Sequence, residues 1–175
     1  MDEDASGTIE VAVEAPGWAL AVTDPEGACR RAAEAALALL PETLRARAEI
    51  AVLLADDARV RDLNRDWRGK DAPTNVLSFP NLDGLDDLPG AVPVVLGDVV
   101  LALETVCREA GEQGKPAAAH LSHLVVHGVL HLLGHDHAGD DEAEAMEALE
   151  RRLVGGLGYP DPYAPPEALP EGEAA

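Results

Sequence analysis

Three histidines whose spacing suits a metal site lie between residues 127 and 137, where the sequence reads His-Gly-Val-Leu-His-Leu-Leu-Gly-His-Asp-His. In a helix, His127 and His131 stand one turn apart on the same face, so their imidazoles project side by side. Gly134 lies where a helix can end in a left-handed residue, and a chain reversal there would return His137 to the same point. Zinc held by three imidazoles keeps a fourth position for water, as in catalytic rather than structural sites. The spacing therefore predicts one zinc ion per chain, with a metal-bound water as part of its chemistry.

The general base of a familiar class of zinc enzyme is missing from this motif. The spacing His-x-x-x-His-x-x-Gly-x-x-His also occurs in the metzincin proteases, whose first histidine is followed directly by a glutamate that acts as base. Gly128 takes that place here and has no side chain that could accept a proton. Peptide hydrolysis by that route is therefore disfavoured, and a zinc protease is the weakest of the readings. Zinc can instead lower the pKa of its water from about 15.7 toward about 7, which generates hydroxide without a neighbouring carboxylate.

Several polar residues near the motif could support the metal ligands. Asp136 could accept a hydrogen bond from a ligating imidazole, as carboxylates beside metal sites commonly do. His120 and His123 continue the histidine stripe toward the helix start, so we expect them to support the site or to have a structural role, and not to bind the metal. Asp98 lies in the most strand-like run of the chain and would need a bulge or a polar partner if buried, which makes it a further candidate. His135 is interpreted as a surface residue near the metal.

The size and composition of the chain fit one globular domain in a reducing compartment. Its 175 residues are 47% hydrophobic and 26% charged, enough to bury a core. Cys29 and Cys107 lack the C-x-x-C spacing and fit small buried thiols better than a disulfide framework. No apolar run reaches membrane length, and residues 1–7 lack the basic start of a signal peptide, so we expect no membrane association and a cytoplasmic protein.

A basic island interrupts the acidity of the chain between Arg59 and Lys70. The net charge of −20 argues against nucleic-acid binding unless Lys and Arg cluster locally. The island holds five of the 13 basic residues: Arg59, Arg61, Arg65, Arg68 and Lys70. For any one of them, an exposed helix face with Arg/Asp pairs is the simpler interpretation. Arg68 is expected to lie outside the helical pattern, in a loop beside Gly69, where its planar guanidinium suits a phosphate.

Hydrophobic periodicity predicts elements that begin in the order βαβα. Strands are expected over residues 8–14, 48–54, 76–79 and 92–103, and helices over 25–41, 57–67, 104–113, from 116 through the histidine motif, and 140–154. The order favours an α+β (α/β layered) fold, in which a small mixed sheet packs against helices with a central metal-binding helix. The predicted domain covers residues 1–157, and residues 158–175 are predicted to form a disordered, acidic, proline-rich tail.

Three blocks of sequence occur in order along the chain. They read Arg-Gly-Lys-Asp-Ala-Pro-Thr-Asn-Val-Leu-Ser-Phe-Pro at 68–80, Leu-Gly-Asp-Val-Val-Leu at 96–101, and the histidine motif at 127–137. Together they resemble the bacterial YbeY family of metal-dependent endoribonucleases, from about residue 8 to residue 157. The resemblance implies a zinc ion at the positions matching His127, His131 and His137, and an arginine matching Arg68 that acts in the cleft. His135 departs from the family, in which an aromatic residue is common at this place.

The resemblance also implies a substrate. It points to cleavage of single-stranded RNA in late small-subunit maturation, near the 3′ end of 16S rRNA, and in ribosome quality control. Because bulk attraction between RNA and an acidic protein is weak, we expect the basic island and a partner, the ribosome or small-subunit proteins, to provide recruitment. Either a metal-bound hydroxide or the adjacent 2′-hydroxyl could attack, and zinc with Arg68 would stabilise the phosphorane.

A function from another class stays open. The missing glutamate and the acidic surface also fit a non-catalytic, metal-containing ribosome assembly factor, in which the metal serves structure or RNA binding.

Overall fold

The computed structural model describes residues 7–82, 92–135 and 139–164. Two of the residues predicted at the metal site, Asp136 and His137, lie outside these ranges. The described helices and strands follow one another as β1 Thr8–Val13, α1 Trp18–Ala21, α2 Pro25–Leu37, α3 Glu42–Arg45, β2 Ala48–Ala55, α4 Asp57–Arg68, β3 Val76–Pro80, β4 Val94–Ala102, α5 Leu103–Gln113, α6 Ala117–Leu132 and α7 Asp140–Gly156.

The strands form one mixed sheet in the order β1-β2-β4-β3. β1, β2 and β4 run parallel, and β3 pairs antiparallel with β4, so that β3 is an edge strand. β2 lies inside the sheet, between β1 and β4, and over most of its length buried positions alternate with positions that are only partly buried. The predicted α+β fold with a small mixed sheet is thereby confirmed.

One face of the sheet is closed by helices α2 and α6. α6 carries most of this contact, because Leu121, Val125 and Val129 are fully buried in the main hydrophobic core. Gly128 is the point of closest approach: a Cβ added there would lie 2.7 Å from a Val99 methyl carbon and 3.1 Å from the Ser78 Oγ. The helix can therefore press against β3 and β4 only because residue 128 has no side chain.

The other face of the sheet is covered only in part. Helix α4 packs over one end of it and forms a second, smaller core with the sheet, composed of Ala55, Val60, Leu77, Val100 and Ala102. The remainder of this face borders a cavity of about 770 Å³. The sheet thus separates a closed side, where the histidines lie, from a side that is partly open.

Side chains cap the starts of two helices: Asp24 caps α2 and Asp56 caps α4. The ladder between β2 and β4 shifts register between Glu49 and Ile50, opposite Leu96. This irregularity directly precedes Gly97-Asp98, where the sequence left open a bulge or a polar partner for Asp98.

Two predicted boundaries need correction. Arg68 is the last residue of helix α4, not a loop residue, because the left-handed cap that ends the helix is Gly69, with φ 73°. The predicted disordered tail also begins too early, since residues 159–164 are placed against α6 and α7 and Tyr163 hydrogen-bonds Glu150. Residues 165–175 lie outside the described part of the chain. Within the described residues, no helix combines the length and apolarity needed to cross a bilayer.

Candidate metal centre

Helix α6 ends with the chain reversal that the sequence predicts. Gly134 adopts φ 99°, a left-handed conformation that glycine reaches without strain. The amide of His135 donates to the carbonyl of Leu130 at 3.0 Å, and that of Gly134 donates to His131 at 3.0 Å. These two bonds form a Schellman motif, which satisfies the last carbonyls of the helix and turns the chain. This turn at Gly134 lies three residues before His137, which was predicted to return to the same point as the first two ligands.

The first two predicted ligands converge at the C-terminal end of α6. The Nε2 atoms of His127 and His131 lie 3.1 Å apart, with the rings tilted by 80°. Two nitrogens bound to one tetrahedral zinc at about 2.0–2.1 Å stand about 3.3–3.4 Å apart, so the pair fits one cation closely. Among the described residues, no group of three potential ligands forms. The convergence of His137 on this point stays a prediction.

A buried carboxylate on α7 holds the first of these histidines. The Nδ1 of His127 donates to Oε2 of Glu150 at 2.8 Å, and the Nε2 of His123 donates to Oε1 at 2.6 Å. The hydroxyl of Tyr163 also donates to Oε1. With Nδ1 engaged as donor, the Nε2 of His127 carries the lone pair that faces His131. Carboxylate–histidine pairs of this kind fix the ring and tautomer of metal-binding histidines.

These three donors also set the charge of Glu150. Burial alone would raise its pKa, but the hydrogen bonds from His123, His127 and Tyr163 outweigh that effect and lower the pKa to about 2. The carboxylate is therefore ionised at neutral pH. A negative charge behind His127 makes the opposite nitrogen a stronger ligand for a cation.

His123 is linked to His127 through their shared acceptor Glu150, and its supporting role at a metal stays a prediction. His120 supports the opposite end of the helix: its Nε2 donates to Glu109 at 2.8 Å, and Glu109 also accepts from Asn75 at 2.9 Å. Burial lowers the pKa of His120 more than the Glu109 hydrogen bond raises it.

A cavity of about 860 Å³ follows this stripe of histidines. His127 lies at one part of its wall, and His120, Lys115 and the segment from Tyr159 to Ala164 line the rest. The segment that sequence reasoning assigned to a tail thus forms part of the wall beside the predicted metal ligands. His135 is partly exposed in the turn after α6, as expected.

The structure does not bring Asp98 to the histidines. Its neighbours Gly97 and Val99 face α6. A Cβ added at Gly97 would lie 2.9 Å from a methyl carbon of Leu132, and a methyl carbon of Val99 would lie 2.7 Å from a Cβ added at Gly128. Since side chains alternate along a strand, Asp98 points to the open face, beside Phe79, and its side chain is exposed. The prediction that Asp98 supports the ligands is therefore wrong, because the strand places it on the other side of the sheet.

The basic island divides into paired and unpaired cations. Arg59 lies 3.7 Å from Glu14, Arg61 pairs with Asp71 at 2.7 Å, and Arg65 contacts Asp62 and Asp66 at 3.2 Å each. Arg61 and Arg65 thus make the Arg/Asp pairs that the helix-face interpretation expects, whereas the partner of Arg59 is Glu14, just after β1. The structure shows no ion pair or side-chain hydrogen bond to Arg68 or Lys70 from the described residues, and both are exposed.

Glu150 is the functional residue that sequence reasoning missed. In the sequence of α7, Leu149 and Leu153 continue an apolar stripe from Met146, whereas the fully buried positions are Met146, Glu150 and Val154. Four-residue spacing from Met146 marks Glu150 as a core-facing position. An acidic residue in such a stripe is a signal for a buried polar partner.

By its fold and candidate site, the protein is a small α+β domain in which a histidine-bearing helix packs on a four-stranded mixed sheet. The solution structure of the protein TM1509 from Thermotoga maritima shares this fold. Its TM-score is 0.54, and the match covers 90% of this chain and 99% of that chain at 22% sequence identity.

Sequence comparison then gives the family. The family described as endoribonuclease YbeY matches residues 21–158. A relative of that name from Paramagnetospirillum magneticum is 56% identical in an alignment of 162 residues that covers 89% of this chain and 96% of the relative. One from Azorhizobium caulinodans is 55% identical, covering 90% of this chain and 97% of the relative. The chain therefore belongs to the endoribonuclease YbeY family, which confirms the resemblance seen in its three sequence blocks.

Proposed function

We propose that this protein is a zinc-dependent, single-strand-specific endoribonuclease that acts in late maturation of the 16S rRNA 3′ end and in ribosome quality control. The proposal depends chiefly on one observation, the 3.1 Å approach of the Nε2 atoms of His127 and His131 in a chain of this family. Relatives that are more than half identical carry the name endoribonuclease.

One zinc ion per chain would be held by His127, His131 and His137. Neutral imidazoles suit zinc, and the described pair has the spacing that two such ligands need. When bound, the ion supplies Lewis acidity, which activates water and polarises a phosphoryl oxygen. The buried charge of Glu150 then has a clear task, because it keeps the Nε2 of His127 deprotonated and aimed at the ion.

The lack of a side chain at residue 128 supports a reaction without a glutamate base. A Cβ at Gly128 would meet Val99 and Ser78, so a glutamate there would point into the sheet and not toward the histidines. Residue 128 can therefore either allow the close packing of α6 on the sheet or carry the glutamate that serves as base in the metzincin proteases, but not both. A zinc protease of the metzincin type is therefore not supported by the geometry.

Arg68 is proposed to bind the phosphate at which cleavage occurs. In either route an oxygen attacks phosphorus and the bond to the leaving oxygen breaks, so negative charge grows on the phosphoryl oxygens. A guanidinium without a carboxylate partner among the described residues is available for that charge. The proposed role is thus stabilisation of charge or contact with the RNA phosphate.

A preference for single strands fits a site at the wall of a cavity, since a folded duplex cannot place its backbone there. The net charge of −20 weakens bulk attraction to RNA. Recruitment is therefore proposed to use the basic island together with the ribosome or small-subunit proteins. A ribosomal RNA substrate would place the protein in the cytoplasm.

The test compares the unaltered protein with His131→Ala on a short single-stranded RNA and on the same RNA in a duplex. We expect the unaltered protein to cleave only the single strand, and a chelator or the substitution to abolish cleavage. Loss of cleavage in the variant also excludes contaminating nucleases.

The alternative, a non-catalytic assembly factor, gives a different result in the same experiment. It predicts no cleavage by the unaltered, zinc-loaded protein, while His131→Ala loses zinc and melts at a lower temperature.

A further inference from the structure

Trp67 is an aromatic side chain that the protein leaves largely in solvent. It is 73% exposed, whereas the only other tryptophan, Trp18, is fully buried and donates its indole N–H to the Ala55 carbonyl at 2.9 Å. The ring of Trp67 meets Phe79 edge to face, with centroids 6.4 Å apart. A T-shaped contact covers at most one face of the indole, so at least one flat face stays open. A protein with 3% aromatic residues thus presents one of its few rings outward.

The ring lies at the rim of the cavity on the open side of the sheet. Trp67 and Phe79 line this cavity of about 770 Å³ together with the apolar side chains of Leu53, Leu63 and Val100. Arg30, Arg59 and Asp98 add polar groups to its wall. An apolar slot with an aromatic wall and a few charged groups is suited to a flat, polar-edged molecule.

Two cations of the basic island that have no acidic partner among the described residues follow Trp67 closely in the chain. Arg68 follows Trp67 directly and Lys70 follows two residues later, and neither contacts a carboxylate within residues 7–82, 92–135 and 139–164. By contrast, the other three cations of the basic island are matched by Glu14, Asp62, Asp66 or Asp71. Within the basic island, the cations without a described carboxylate partner are therefore the two that follow Trp67 in the chain.

This arrangement lies one strand away from the histidines. Phe79 and Ser78 are neighbours on the edge strand β3 and point to opposite faces. The Ser78 hydroxyl donates to the carbonyl of Gly128 at 3.1 Å, directly after His127 in the chain. A flexible strand that rounds the β3 edge could thus contact Trp67 and the histidine site at once.

We infer that Trp67 is a stacking platform for one unpaired base of single-stranded RNA, with Arg68 and Lys70 on the adjoining phosphates. This inference rests on the proposed function and adds to it a nucleotide flanking the scissile phosphate. Every base has a π-face, so stacking on an indole holds a strand without demanding one sequence. A duplex hides its base faces, which makes the platform a source of single-strand preference. The adjacent unpaired cations favour RNA over an apolar protein segment as the occupant.

The first test measures RNA binding and cleavage by Trp67→Ala and Trp67→Phe. Binding is measured on metal-free protein with a short single-stranded RNA, so that cleavage does not interfere. We expect about 5-fold to 100-fold weaker binding for Trp67→Ala, the range for loss of one base–aromatic stack, and partial rescue by Trp67→Phe. In the zinc-loaded protein the loss should appear mainly in KM. Leu20→Ala, at a residue that is 92% exposed on α1, is the control and should leave both parameters unchanged.

The second test uses tryptophan fluorescence. Because Trp18 is buried, quenching by bound RNA reports on Trp67, and Trp67→Phe should remove most of the RNA-dependent signal while Trp18 still emits. Unchanged affinity in Trp67→Ala together with unquenched fluorescence would overturn the stacking platform while leaving the endoribonuclease proposal intact, and would assign the exposed ring to a protein partner. Absence of any RNA binding by the unaltered protein would overturn both.

Discussion

Two of the imidazole–carboxylate pairs that helix α6 forms, His120–Glu109 and His127–Glu150, are built in opposite ways. In the His120–Glu109 pair, the imidazole is buried, with a side-chain exposure of 4%, and the carboxylate is 25% exposed. In the His127–Glu150 pair, the carboxylate is buried, with an exposure of 1%, and the imidazole is 24% exposed. Both pairs have the same 2.8 Å hydrogen bond. Burial thus decides which partner is available to a ligand, and it leaves the imidazole available only in the second pair.

The difference also extends to the number of donors on each carboxylate. Glu150 accepts from His123, His127 and Tyr163, which lowers its pKa to about 2 despite burial. Glu109 accepts from His120 and Asn75 at the cavity wall. The geometry therefore assigns the His127–Glu150 pair to orientation of a ligand and the His120–Glu109 pair to packing.

The largest effect is expected from removal of the buried carboxylate. Glu150→Ala should weaken zinc binding about 10- to 100-fold, because the ring of His127 loses the acceptor that orients it. Glu109→Ala, the matched change in the other pair, should alter zinc affinity by less than about 3-fold, well below the range for outer partners of a metal site. Zinc competition titration with a chromophoric chelator measures both. Equal losses in the two variants would show that the pairs do not differ in function.

Removal of the buried imidazole should affect stability instead of metal binding. His120→Ala leaves a cavity and deprives Glu109 of a donor, so we expect a loss of about 2–3 kcal/mol in the free energy of unfolding. Chemical denaturation of metal-free protein gives this value, and zinc content should stay at that of the unaltered chain. A variant that keeps its stability but loses zinc would contradict the packing role.

A smaller effect is expected from the tyrosine that contacts Glu150. Tyr163→Phe removes one donor to a charged acceptor at a partly exposed site and should cost about 1–2 kcal/mol of stability, with zinc binding weakened by a few-fold. Tyr159→Phe is the control in the same segment, and a change within about 0.5 kcal/mol is expected there. Indistinguishable melting and zinc titration curves for the two variants would remove Tyr163 from the site.

The smallest effect concerns the pH dependence of folding. The pKa of His120 is lowered from its ordinary value of 6.5, mainly by burial, so the unfolded chain binds the proton more readily than the folded protein. The contribution of this residue is complete above that value and is lost progressively as the pH falls through it. Unfolding of metal-free protein between about pH 7.5 and pH 5.5 should show a shallower slope for His120→Gln. An unchanged slope would contradict the shift.

Sequence alone predicts the parts of the site that depend on neighbouring residues. The pairing of His127 with His131 follows from helical periodicity, and the turn at Gly134 follows from the conformational freedom of glycine. Helix starts such as those at Asp24 and Asp56 are equally local, because the side chain of a cap accepts a hydrogen bond from an amide three residues later.

The parts that failed depend on contacts between distant segments. Glu150 is 23 residues from His127, and only the packing of α7 on α6 brings them together. Asp98 was assigned to the wrong face because the sequence does not tell which side of a buried strand meets the central helix. Tyr163 was assigned to a tail because proline and glutamate content gives no sign of one tyrosine that docks on a buried carboxylate.

The most direct test of the account is metal analysis of the purified chain beside His131→Ala and His120→Ala. We predict one zinc ion per chain in the unaltered protein and in His120→Ala, and loss of zinc together with RNA cleavage in a folded His131→Ala. A folded His131→Ala that retains a full equivalent of zinc would contradict the metal centre.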